Sequence, residues 1–267
     1  MTNGPFRSWV QQFIKDDSVS SVAPIACKFA KQSTTPGLRF VIYSTFAIVA
    51  MYPSLGGAQA PLDQNTVRFV ADVICRNEYQ DGTEFRCNRW VASPRLSTFG
   101  SGSHHPTVVA NVIKQLNELL PEGTQIQQVE PNQEDASMKV YFVSLNEFPA
   151  LAKKYGFPVT NNLGFFGVEW NHRYEIQSAV IMIAHDKLRG KRLHHMTLEE
   201  ITQSLGLAGD STRFEDSVFY EDQAKQHYGT ATRLSELDKK TLRFLYQHVE
   251  PGSLPIEVGV QMGRHWK

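Results

Sequence analysis

An excess of charge of either sign is the first thing missing from this chain. Its 267 residues carry 27 Lys and Arg against 27 Asp and Glu, a formal net charge of zero. A generic nucleic-acid binder needs a basic surface for its phosphate contacts, so no nucleic acid is expected as a partner. The one basic run, from Lys187 through Arg189 and Lys191 to Arg192, reads as a solvated loop. Also absent are a G-x-S-x-G elbow, a phosphate-binding glycine loop and a dinucleotide fingerprint, which leaves the common hydrolase and nucleotide-binding classes without support. No internal repeat or low-complexity tract breaks the chain. What is present, 41% hydrophobic and 20% charged residues, suits a folded domain with a substantial core.

Long apolar runs are also missing. Residues 40–52, from Phe40 to Tyr52, form an uncharged and mostly apolar stretch that is too short to span a bilayer comfortably. Arg39 precedes it, and Pro53, Gly56, Gly57 and Ala58 follow, the order of a signal-peptide core and its cleavage region. Cleavage is expected after Ala58, because a cut after Ala60 would leave Pro61 at the first mature position. The expected organisation is a leader of unassigned structure (1–39), a signal core and cleavage region (40–58) and one domain (59–267). The alternative is that residues 40–58 stay uncleaved and anchor the chain in the inner membrane. Export leaves Cys75 and Cys87 as a pair that suits a hairpin disulfide in an oxidising compartment, with two free buried thiols as the other reading.

The most informative stretch runs from Glu199 to Asp210. Its skeleton is that of a zinc-peptidase helix, H-E-x-x-H-x-x-G-x-x-H, without any of the three histidines. Glu200 stands at the general-base position and Gly206 at the glycine, while the ligand positions read Glu199, Gln203 and Gly209. A catalytic zinc takes three protein ligands and keeps one position open for water. Glu199 alone is a good ligand here, since an amide oxygen is a weak donor and glycine has no side chain. Leu198, Ile201 and Leu205 share one helix face and are expected on a core, with Glu199, Gln203 and Gly206 facing a cleft. Two readings compete for Glu200. In one, Thr197 caps the helix start and Glu200 closes a capping box; in the other, Glu200 is a catalytic carboxylate. His194 and His195 precede that cap, as loop residues or as substitute ligands.

Two later segments join this helix in order. Asp216-Ser217-Val218-Phe219-Tyr220 resembles the segment that matrixin-type metzincins place after their zinc motif, with Phe219 where a methionine floors the metal. Residues 234–246, from Leu234 to Tyr246, are similar to the closing helix of those peptidases. The closer resemblance is to an uncharacterised bacterial family of exported proteins with degenerate, zinc-motif-lacking matrixin-like domains. It is carried by Glu199-Glu200, Gln203, Leu205-Gly206-Leu207, Asp210-Ser211, Ser217, Phe219, Leu237-Asp238, Leu245-Tyr246, Pro251-Gly252 and an early Arg89-Trp90. The resemblance implies an α+β, metzincin-like domain: a mixed sheet, a motif helix, a floor turn and a closing C-terminal helix. It brings no known activity and no cofactor.

Pattern along the chain predicts strands over 66–74 and 84–92 with a turn at 77–82, then a loop over 99–106 and a helix over 107–120. The histidine pair His104-His105 falls in that loop. A strand over 138–144, a short helix over 148–155, and strands over 163–171 and 176–184 follow. Phe165, Phe166 and Trp170 either pack this sheet or line a cleft that takes an extended peptide or a glycan.

The function these features imply is that of an exported, non-catalytic pseudo-peptidase. It would bind a peptide, a protein or a glycan of the cell envelope, through a polar network of Glu199, Glu200, Gln203 and Asp210 in place of the metal. The alternative is a metal-dependent peptidase or hydrolase with a rearranged ligand set from His194, His195 and Glu199, with Glu200 as the catalytic group. Membrane contact is expected only if the N-terminal segment is uncleaved.

Overall fold

A computed structural model describes residues 9–11, 62–75, 85–100, 105–157, 162–222 and 227–266. The expected signal core, the cleavage region, most of the leader, Cys27 and the turn at 77–82 lie outside the described residues.

The elements in chain order are β1 (Trp9–Gln11), α1 (Gln64–Cys75), β2 (Arg95–Phe99), α2 (His105–Asn117), β3 (Gln127–Gln128), β4 (Met138–Val143), α3 (Phe148–Lys154), β5 (Gly164–Trp170), β6 (Ile176–Ala184), α4 (Lys191–Gln203), β7 (Glu221–Asp222), β8 (His227–Tyr228), α5 (Glu236–His248) and α6 (Pro255–His265). Six strands form one mixed sheet in the order β1-β5-β6-β4-β2-β3. The pairs β2–β3, β2–β4 and β4–β6 are parallel, while β5 runs antiparallel to both β6 and β1. The second half of β6, Ala179 to Ala184, is buried at every residue, which is why it reads as a continuous apolar run rather than an alternation. Helix α4 packs on β5, β6 and α2, so the motif lies inside the domain against the sheet.

The expected strands over 138–144, 163–171 and 176–184 and the short helix over 148–155 form within a residue or two of their expected ends. The expected strand over 66–74 is instead helix α1. Phe69, Val70, Val73 and Ile74 are the buried residues, a helical spacing, and Asp63 caps the start by accepting from Thr66 N at 2.9 Å and Thr66 Oγ1 at 3.1 Å. Tertiary packing overrides the β-branched composition there.

The described part of the second expected strand, 85–92, makes only an isolated parallel bridge from Arg89 to Glu175. It is extended because it pairs elsewhere, with Cys87 N donating to Ser253 O at 2.9 Å and Gly252 N to Cys87 O at 2.7 Å. A strand that the pattern missed, β2, follows it. The helix expected over 107–120 begins at His105 and ends at Asn117. Cys75 therefore ends a helix and Cys87 lies in an extended segment, so the two do not face each other across a hairpin; both are free thiols. Among the described residues no helix is long and apolar enough to cross a membrane.

Candidate functional site

Helix α4 starts seven residues earlier than its sequence suggests. Gly190, with φ 54°, precedes Lys191, and the expected cap residue Thr197 sits mid-helix with its hydroxyl donating to Leu193 O at 2.7 Å. The capping box at Thr197 and Glu200 is therefore not formed. His194 and His195 belong to the helix and not to a loop before it, and so do Lys191 and Arg192 of the basic run. Leu198 and Ile201 are buried on the core as expected, and Leu205 with them. The opposite face is buried too, with Glu199 and Gln203 no more than 1% exposed, so no open cleft runs along it.

Burial on all sides makes the polar residues of α4 the question. His195, Glu199 and Gln203 recur every fourth residue and form one row along the helix. The His195 ring offers Nδ1 to Ala231 O at 2.8 Å and sets Nε2 3.3 Å from Glu199 Oε2. Burial by itself lowers the pKa of this imidazole, but the neighbouring Glu199 carboxylate outweighs it, and the net direction is up. At the far end of the row Gln203 Nε2 donates to Asp210 Oδ1 at 2.9 Å. Two separate pairs, His195–Glu199 and Gln203–Asp210, thus lie along this row, and the i to i+4 spacing alone could have flagged His195.

Glu200 stands to one side of this row. Its side chain is buried against Gly164 of β5 and Met196, where a methyl group on Gly164 would overlap both Met196 Sδ and Glu200 Oε1. Glu200 Oε1 has no hydrogen-bond partner among the described residues. Burial, and then the nearby Glu199 and Glu221 carboxylates, push its pKa well above the ordinary carboxylate value. Burial therefore favours the neutral acid form of Glu200 over its carboxylate.

The helix ends on Gly206. Its φ of 108° favours glycine, and a side chain there would overlap the carbonyl oxygen of Asn88. Two carbonyls left over at this helix end are satisfied by distant side chains: Trp90 Nε1 donates to Ser204 O at 3.0 Å and Tyr246 Oη to Leu205 O at 2.9 Å. Arg89 supports the latch, donating from Nε to Val249 O at 2.8 Å with its guanidinium 5.6 Å over the Tyr246 ring. That gives the Arg89-Trp90 pair a physical task.

Beyond the turn, Ser211 Oγ donates to Asp72 Oδ2 at 3.1 Å, and Arg213 Nη1 reaches the same oxygen at 2.6 Å. Phe219 is fully buried, 6.4 Å from the Phe69 ring, as a hydrophobic floor would be. Asp238 binds the floor turn to α5, accepting from Ser217 Oγ at 2.6 Å and from Val218 N at 3.0 Å while completing a capping box with Ser235. Phe165 and Phe166 are buried in the sheet and Trp170 is half-buried, so the two phenylalanines do not line a cleft.

The residues do not fit a three-ligand zinc centre. Gln203 is engaged with Asp210, and Gly209 offers no side chain. His194 and His195 project about 100° apart around the helix, so the rearranged set of His194, His195 and Glu199 does not converge on one point. Among the described residues no group of three His, Cys, Asp or Glu side chains is placed to hold a metal ion.

The sequence pattern of a family described as "Protein of unknown function (DUF2927)" matches residues 63–259. No curated protein matches the chain. Two solved structures of myroilysin are similar, one with 11% identity and a TM-score of 0.36 over 66% of this chain and 92% of that one. The other has 12% identity and a TM-score of 0.38, over 67% of this chain and 93% of that one.

Proposed function

We propose, from the premise that this chain belongs to the DUF2927 family, that it is an exported protein which binds a peptide, a protein or an envelope glycan and does not cleave it. Its domain is a degenerate metzincin-like unit in which side-chain bonds inside the protein have replaced a metal site. The observation that carries the reading is the buried row on α4. Residues at two of the three ligand positions, Glu199 and Gln203, are turned inward onto His195 and Asp210 and are closed to solvent. Buried polar pairs of this kind fix one arrangement of a core, a structural role. Residues 40–58 are the export signal in this reading.

With the motif buried, binding falls to the rest of the surface. The outer edge of β5 supports capture of an extended segment by strand addition, because Trp9–Gln11 pair antiparallel with Phe165–Gly167 along that edge. Those three residues precede the expected cut after Ala58, so the edge is open in the mature protein.

The test compares wild type with Glu200→Gln for hydrolysis of denatured casein and of envelope proteins, each with added zinc and with chelator. The reading expects no hydrolysis in any arm. Zinc-dependent cleavage that is lost in Glu200→Gln would replace it with the peptidase reading.

A further inference from the structure

Helix α4 packs on one face of the sheet, and the opposite face carries a pocket that neither the buried motif nor the β5 edge explains. Gly164 points at α4, since a side chain there would meet Met196 and Glu200. Side chains alternate along a strand, so Gly167 and Glu169 of β5 look the other way. Val180 and Ser178 of β6 stand opposite them, with Lys139 of β4 beside Val180. Above this patch of sheet is a cavity of about 240 Å³. Pockets that take up a whole small ligand run to about 300–1,000 Å³, so this one has room for a side chain and little more.

One wall of the pocket is aromatic and firmly held. Phe157 lies directly over Gly167, where an added methyl would sit 2.6 Å from its ring, and packs on Phe165 with ring centroids 4.7 Å apart. Tyr155 stacks on Phe157 at 5.9 Å and shares a 2.5 Å hydrogen bond with the Tyr141 hydroxyl. The rest of the lining is charged, with Glu134 and Glu169 against Lys139. Lys139 Nζ is engaged by Glu134 Oε2 at 2.8 Å. Glu169 accepts from Ser178 Oγ at 2.7 Å, and among the described residues no cation pairs with it. The pocket is therefore one positive charge short, and the carboxylate that lacks a partner is exposed.

We infer that this pocket receives a lysine or arginine side chain of the peptide that β5 captures. The aliphatic stem lies between Val180 and the aromatic wall, as long basic side chains cover apolar surface elsewhere, and the ammonium or guanidinium pairs with Glu169. The inference rests on the strand-capture reading, which supplies the approach. Trp9 stands opposite Gly167 in β1, so a strand in that place turns every second side chain to the pocket face, the residue opposite Glu169 among them. A neutral glycan offers nothing to the unpaired carboxylate, and an acidic segment is repelled by it.

The experiment titrates the full, isotope-labelled chain with Nα-acetyl-arginine amide and Nα-acetyl-lysine amide, and follows the backbone amides by NMR. The corresponding glutamate and norleucine amides are the controls. Saturable shifts are expected at Gly167, Glu169, Ser178 and Val180 with the two basic probes and not with the controls. Glu169→Gln changes an exposed residue and keeps an oxygen that can accept from Ser178, and should weaken the basic probes by about fivefold. Equal shifts with either control, no saturable shift with the basic probes, or a Glu169→Gln variant that binds as wild type does would each overturn the inference. The probes are too short to pair as a strand, so the two readings fail separately. Absent shifts remove the pocket and leave strand capture, whereas zinc-dependent cleavage of casein removes the non-catalytic reading and leaves the shifts in place.

Discussion

His195 and Glu199 face each other one helical turn apart, Nε2 to Oε2 at 3.3 Å, with neither side chain more than 6% exposed. Removing one member leaves the other buried without its charge partner, so His195→Ala should destabilise the fold by about 3 kcal/mol, read as a lower denaturant midpoint at unchanged slope. The sign of the pH effect follows from the raised imidazole pKa. The folded state binds this proton more tightly than the unfolded chain, so the contribution is full below the ordinary value of 6.5 and fades as pH rises through the folded value. Melting curves from pH 5 to pH 9 should show the gap between wild type and His195→Ala narrowing toward the alkaline end.

Glu200 predicts a slope that its replacement removes. Its pKa is raised on folding, so the unfolded chain releases a proton above the ordinary value of 4.5 while the folded chain keeps it. Wild type therefore loses stability as pH rises from that value toward the folded one. Glu200→Gln keeps the shape and cannot ionise, so it should match wild type near pH 4 and be more stable near pH 8. A variant that is less stable at both ends would show that the ionised form is the one the fold holds.

Gly206 is fixed by backbone geometry. Gly206→Ala meets both the positive φ and the Asn88 carbonyl, and should cost about 2–4 kcal/mol. Gly263→Ala in α6, where nothing lies within 4 Å of the added methyl, should be neutral or slightly stabilising and serves as the control. Thermal melts of the two variants side by side would check the contrast.

Asp238 ties the floor turn to α5 through Ser217, Val218 and Ser235. Burial raises its pKa even though those three partners pull it down. Asp238→Ala strips an N-cap partner and two buried bonds at once, and a loss of about 3 kcal/mol is expected by chemical denaturation. Ser217→Ala, which removes one of them, should cost about 1 kcal/mol.

These sites show what the sequence could reveal. The strands over 138–184 and helix α5 were legible because local pattern and tertiary burial agree there. The β-branched and aromatic side chains of residues 66–74 suit a strand, while the Asp63 cap and the 69, 70, 73, 74 spacing are the signals that decide for a helix. The seven-residue error at the start of α4 has a related cause. Thr197 and Glu200 have capping-box spacing, and only packing shows that a buried Thr can turn its hydroxyl onto its own helix. Glu199, Gln203 and Asp210 were identifiable as a group from the motif skeleton. His195 is legible too, one helical turn before Glu199, whereas its contact with the loop carbonyl of Ala231 is not. The aim of Glu200 at Gly164 was equally hidden, since strand register decides it.

The central claim is that internal side-chain bonds stand where a metal would be held. Elemental mass spectrometry of the purified, untagged protein after incubation with zinc, paired with a melting curve before and after chelation, tests it most directly. The account predicts far less than one zinc per chain and a midpoint that chelation does not move. Near-stoichiometric zinc with a midpoint that falls on chelation would contradict it and return His195, Glu199 and Glu200 to the chemistry of a peptidase.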